Sequence, residues 1–158
     1  MNNPAQSKKT KFIVDVNLGR LARWLRLLGY DTLYYQSVSL STLSNIARQE
    51  GRVFLTRSRK NAQRKIFGQA ILISSSNVRE QLAELSPLLT YSPENVFSRC
   101  SLCNSMLYEV EKERVKKQVP EYVYQTNEQF KTCRNCGRIY WQGTHIKAMI
   151  DILKDIFH

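Results

Sequence analysis

The 158-residue chain carries 24 Lys and Arg against 13 Asp and Glu, a formal net charge of +11. That length buries one core plus a small appendage and excludes two large domains, and the charge favours a polyanion, nucleic acid before an anionic membrane surface. The excess is uneven: residues 1–98 hold 14 basic and 6 acidic side chains, a surplus of 8, whereas residues 99–158 hold 10 and 7, a surplus of 3.

Residues 1–11, MNNPAQSKKTK, are polar and basic without periodicity, which predicts a flexible tail. They lack the hydrophobic core of a secretory signal, and no apolar segment nears the roughly 18 residues of a membrane span, so the expectation is a cytoplasmic protein with no membrane partner. Phe12, Ile13 and Val14 form an apolar run without alternation, as suits a strand buried on both faces of a parallel sheet. Asp15 stands where that strand ends. Asn17 is the expected cap of the following helix and Gly29 its stop. Leu18, Leu21, Leu25 and Leu28 define the packing face of that helix, with Arg20, Arg23 and Arg26 opposite, toward anions.

A second strand is predicted over residues 31–35, then a helix with Leu40, Leu43, Ile46 and Ala47 on its apolar face, ended by Gly51. A third strand over 52–56 runs into RSRKNAQRK, residues 57–65, with five positive charges and no negative one. A fourth strand over 70–73, a helix over 77–85 and a last strand at Val96 and Phe97 complete the unit. Alternation of this kind predicts an α/β fold, a parallel sheet with helices on both faces, over residues 12–98. Ligands of such sheets bind beyond the carboxyl ends of the strands, near the point where strand order reverses. Asp15, Asn17 and the turn Arg57–Ser58–Arg59 all follow strands and should converge there. Asp31 begins its strand and is expected to be structural.

Residues 99–158 have a different character. Cys100 and Cys103, then Cys133 and Cys136, form two CxxC knuckles. Four thiolates suit a tetrahedral Zn²⁺, and a two-residue gap lets both sulfurs of a knuckle reach one ion, so a closed, structural zinc ribbon is expected. Redox dithiols are the competing reading. Ile139, Tyr140 and Trp141 read as a short strand. Tyr140 and Trp141, beside positive charge, are candidates for stacking on unpaired bases. A final helix starting at Gly143 and Thr144 presents Ile146, Met149, Ile150, Leu153 and Phe157 to one of the sheets.

Several chemistries lack their residues. His145 and His158 both lie outside the sheet unit, so a serine nucleophile has no base there, and no phosphate-binding glycine motif is present. Metal-dependent phosphodiester hydrolysis needs several convergent carboxylates. Asp15 is well placed, but positions 32–49 contain no acid.

The blocks FIVDVNLGRLARWLRLLGYDT from Phe12, EGRVFLTRSR from Glu50, RCSLCN from Arg99, VP at Val119 and CRNCGRIYWQGTH from Cys133 resemble, in order, those of the Mut-seven C-terminal RNase domain family. The resemblance spans nearly the whole chain. It implies a PIN-like nuclease fold followed by a zinc ribbon, and a metal-dependent ribonuclease activity. Relatives carry an aspartate where Ser58 stands and acidic residues at the start of the second helix, where this chain has Ser39, Ser41 and Thr42. Only Asp15, with Asn17 beside it, keeps the pattern. The resulting expectation is an RNA-binding protein with a degenerate acidic site, partnered by RNA or an RNA–protein particle. Its phosphate contacts would come from Arg20, Arg23, Arg57, Arg59, Lys60 and Arg64. Two alternatives stand beside it: an active ribonuclease using Asp15 and Asn17 with Mg²⁺ or Mn²⁺, and an adaptor docking on a protein partner.

Overall fold

The opening apolar run becomes β1 (Phe12–Val14), whose three side chains are fully buried. In the computed structural model, which describes residues 9–158, β1 lies inside a parallel four-stranded sheet. Its partners are β2 (Thr32–Tyr34), β3 (Val53–Thr56) and β4 (Ala70–Leu72), in the order β2-β1-β3-β4. Phe12 pairs with Thr32 on one side and Val53 on the other. Alternate residues of the pleat feed two separate cores. Phe12, Val14, Val53 and Leu55 pack with α1 (Gly19–Leu27) and α4 (Val78–Glu84), whereas Ile13 and Phe54 pack with α2 (Leu40–Glu50) and Phe67. The Phe67 ring stacks on Phe54 with centroids 3.8 Å apart.

Helix boundaries follow side-chain chemistry at their ends. Asn77 caps α4 through its carboxamide oxygen, and Gly51 closes α2 at φ 63°. At the first helix the cap is Asp15 and not Asn17: Asp15 accepts from the Val16 amide at the start of a 3₁₀ turn, Val16–Leu18, and α1 begins only at Gly19. The turn moves the cap two residues back, into contact with the sheet. Gly29 at φ 85° ends the unit, and an added Cβ would lie 2.4 Å from the Asn95 carbonyl oxygen.

Val96 and Phe97 are not a strand. Phe97 has a φ of 64°, and its amide donates to Leu27 O at 2.8 Å, so the pair forms a turn that plugs the base of α1. Arg26 also departs from the helical-wheel expectation. It is 5 % exposed, and its guanidinium donates to Thr32 O, Ser101 O and Leu102 O at 2.9–3.0 Å. The first cysteine knuckle closes over that part of the helix and removes it from solvent.

The second unit is a three-stranded antiparallel sheet in the order β5-β6-β7, formed by β5 (Leu107–Val110), β6 (Phe130–Cys133) and β7 (Ile139–Tyr140). Two short helices, α5 (Lys112–Val115) and α6 (Glu121–Thr126), cover its small core of Val115, Val119 and Phe130. The last helix, α7 (Thr144–Phe157), then returns to the first unit. It lays Ile146, Met149, Ile150 and Leu153 into the helical layer over α1 and α4 rather than onto a sheet face. No helix among the described residues is long and apolar enough to cross a membrane.

A polar joint completes the seam between the units. Asp31, at the start of β2, accepts from Arg52 at 2.8 Å and from the Asn104 side chain at 2.7 Å, while Asn104 also accepts from the Thr32 amide. This bears out the structural reading of Asp31. The predicted tail lies outside the described residues except for its end, where Lys9 sits 4.3 Å over the Tyr30 ring and donates to Leu28 O.

Candidate functional site

Strand order reverses between β1 and β3, because β1 hands over through α1 to β2 on one side and the chain then crosses through α2 to β3 on the other. Asp15 and Thr56 end or follow these two strands, at the crevice where an α/β sheet receives ligands. Thr56 Oγ1 donates to Asp15 Oδ2 at 2.7 Å, and the Val16 amide donates to Oδ1 at 2.8 Å. Both carboxylate oxygens therefore already accept. The Ser58 amide donates to Thr56 Oγ1 at 3.0 Å, and Ser58 Oγ accepts from the Asn61 amide to cap α3 (Arg59–Ala62).

A cavity of about 400 Å³ opens at this edge, bordered by Asp15, Gln36, Ser37, Ser39 and Asn61. Asp15 is its one carboxylate; the other polar groups are amides and hydroxyls. Ser39 occupies one of the positions where family resemblance implied acids, and its hydroxyl is committed to the Thr42 amide as the cap of α2. Asn17 does not share the cavity. It borders a separate one with Arg20, Ser76 and Asn77. Glu80 and Glu84 also lie near a strand's carboxyl end, but Glu84 accepts from the Ser74 and Ser75 amides and Glu80 from the Ser75 hydroxyl, which binds them to the turn after β4.

The four cysteines do converge. All four Sγ atoms lie within 4.8 Å of one another, with Cys100–Cys136 at 3.7 Å and Cys103–Cys133 at 3.4 Å. A tetrahedron of thiolates about 2.3 Å from a zinc ion has edges of about 3.8 Å, whereas a disulfide needs about 2.05 Å. The cluster thus fits a metal ion such as zinc. The thiols respond unequally to their surroundings. Burial pushes Cys133 up to about 12, with the neighbouring Cys103 thiol adding to the rise. Burial opposes ionisation of Cys103 too, but hydrogen bonds from Ser105 and Asn135 outweigh it and bring that thiol down to about 5. A low Cys103 thiol beside a raised Cys133 thiol leaves the pair unequally ready to bind until a cation joins them. Among the described residues, no other group of three or more His, Cys, Asp or Glu side chains gathers this way.

The basic side chains divide by position. Arg20, Arg23, Arg57, Arg59, Lys60 and Arg64 are exposed, and among the described residues none forms an ion pair. Arg57 to Lys60 follow the carboxyl end of β3 without lining the Asp15 cavity, whose wall from this segment is Asn61, whereas Arg64 and Lys65 sit on the return from α3 to the start of β4. Tyr140 and Trp141 turn inward. Tyr140 meets Phe97 edge-on at 5.7 Å and places its hydroxyl 2.9 Å from Cys100 Sγ, while Trp141 packs on Phe130 at 6.5 Å. Burial, then the contact with Cys100, pushes the Tyr140 hydroxyl up to about 12, so it stays protonated at neutral pH.

Sequence reasoning missed Thr56, Gln36 and Asn61 beside Asp15. A threonine closing an otherwise apolar buried strand was the available signal for the first; the other two are loop and short-helix residues with no periodicity to mark them.

The model of the Mut7-C RNAse domain matches residues 10–153. The chain belongs to the Mut7-C RNAse domain family. The match runs through both units, so the family pattern covers the sheet, the cysteine cluster and most of α7. No curated protein and no solved structure matches this Mut7-C member.

Proposed function

We propose that this Mut7-C domain is an RNA-binding protein with a PIN-like sheet unit, a structural zinc ribbon and a degenerate nuclease centre. It acts in the cytoplasm on RNA or an RNA–protein particle. The observation that carries this reading is the pairing of an uncompensated basic surface with a crevice that holds one carboxylate, itself doubly hydrogen-bonded. A dication needs several anionic oxygens to bind at millimolar concentrations, and hydroxyls such as those of Ser39 and Ser58 offer only weak neutral ligands. Arginines on a polyanion gain from counterion release irrespective of any reaction. Zinc is supported by the sulfur-only donor set and its spacing, and a reducing compartment by four free cysteines grouped as ligands.

Substituting Arg57, Arg59, Lys60 and Arg64 by Gln should weaken binding of single-stranded RNA and flatten its salt dependence; unchanged binding contradicts the assignment. One observation favours a second reading, an active ribonuclease: Asp15 occupies the switch point of a chain in a family named for RNase activity. Cleavage by the purified protein in Mg²⁺ or Mn²⁺ that disappears in Asp15→Asn would establish it in place of the first.

A further inference from the structure

Between α1, the end of β2 and the first cysteine knuckle lies a second cavity, of about 490 Å³, bordered by Arg20, Arg23, Arg26, Tyr34, Gln36 and Ser101, among others. Three arginines line it, and no carboxylate does. Arg26 is the most informative of them. It is 95 % withdrawn from solvent, and its Nε and Nη1 are spent on three backbone carbonyls. Its Nη2 has no hydrogen-bond partner among the described residues, yet it is not sealed in: Arg99 Nε is the one buried side-chain polar atom left without a partner. A guanidinium fixed by three carbonyls and open on its remaining edge is a preorganised donor for an oxyanion.

The walls are equally fixed. Tyr34 donates its hydroxyl to Val16 O at 3.1 Å, and its ring would lie 3.0 Å from a Cβ at residue 19, so Gly19 lets the aromatic ring close against the start of α1. Gln36 borders both this cavity and the Asp15 crevice, and Arg23 and Ser101 border both this cavity and a smaller one that contains Arg99 and His145. The three openings are thus neighbours that share wall residues.

We infer that the Arg20–Arg23–Arg26 cavity is a phosphate subsite for single-stranded RNA, which holds the backbone beside the Asp15 crevice and requires both the sheet unit and the cysteine knuckle to exist. The inference rests on the RNA-binding reading for the identity of its ligand, but the anion site stands on the three arginines alone. Its volume admits a phosphate with part of its nucleotide, and Tyr34 offers an aromatic wall for the sugar or base.

The full chain, isotopically labelled, is titrated with uridine 5′-monophosphate and inorganic phosphate while backbone amide and arginine side-chain resonances are followed. Single-stranded RNA oligonucleotides carrying either a 5′-phosphate or a 5′-hydroxyl are titrated in parallel. Saturable shifts at Gly19, Tyr34, Ser101 and Leu102, weakened about tenfold in Arg23→Gln, are the expected result. Arg26→Lys tests the buried donor; if that variant does not fold, Arg20→Gln and Arg23→Gln carry the test through exposed side chains. Equal affinity for the two oligonucleotides identifies an internal backbone phosphate, and preference for the 5′-phosphate identifies a strand end. If RNA binds without shifting these amides, the subsite is wrong while the RNA reading survives. If uridine 5′-monophosphate shifts them and neither oligonucleotide binds, the anion site stands and its RNA ligand is overturned.

Discussion

Asp15 ties two strand ends together at the sheet edge that lines the candidate crevice. Its carboxylate links the ends of β1 and β3 through Thr56 and starts the 3₁₀ turn through Val16. Asp15→Asn keeps the shape but exchanges charge-assisted bonds for neutral ones, so chemical denaturation should show a loss of about 1 kcal/mol with RNA affinity unchanged. The Asp31–Arg52 pair predicts a pH effect. Burial by itself would raise the Asp31 carboxyl, but hydrogen bonds from Arg52 and Asn104 outweigh it and hold the carboxyl below its ordinary value. Its stabilising effect is therefore fully present above the unfolded-state pKa and disappears as pH falls through the lower folded-state value. Asp31→Asn should cost about 2 kcal/mol at pH 7 and flatten the acid limb of the stability profile below the ordinary carboxylate range. At this scale the sequence was legible where a residue's role was local. Asp15 could be found because an apolar run stops at it. Arg26 could not, since the carbonyls that bury it come from Ser101 and Leu102, some 75 residues further on.

Elements whose burial follows from their own pattern were read correctly from sequence: β1 and β3, the amphipathic helix ended by Gly51, and the α4 segment with Asn77 at its start. Val96 and Phe97 misled because two apolar β-formers in a row also suit a turn that fills a gap, here the gap beneath Leu27. Strands β5 and β6 and helices α5 and α6 went unseen between the knuckles, where short elements around the small core of Val115, Val119 and Phe130 carry little periodicity. Gly29→Ala should be among the most damaging small changes, because it combines a positive φ with a 2.4 Å approach to Asn95 O. A loss of about 2 kcal/mol or more is expected by thermal or chemical denaturation. For the ribbon, the proposed zinc site predicts that Cys103→Ser lowers the bound metal measured by elemental analysis and exposes β5–β7 amides to hydrogen exchange. Amides of β1 and β3 should stay protected, since their core does not contain the cysteines.

Across the whole molecule, the two units divide the work by charge and by rigidity. The sheet unit and the basic segment before it carry most of the positive surplus, and the ribbon, once its thiolates hold a dication, adds little net charge but supplies one wall of the arginine cavity. Helix α7 then clasps the ribbon's far end to α1 and α4, with Leu153 fully buried. The proposed function needs a polyanion-binding surface beside a crevice that holds one carboxylate. The most direct test is titration of fluorescently labelled single-stranded RNA with the full chain at a series of salt concentrations, read by anisotropy. With six exposed arginines and lysines engaged, the logarithm of affinity should fall linearly with the logarithm of salt, with a slope of about −4. Absence of binding at low salt, or an affinity that does not change with salt, would contradict it.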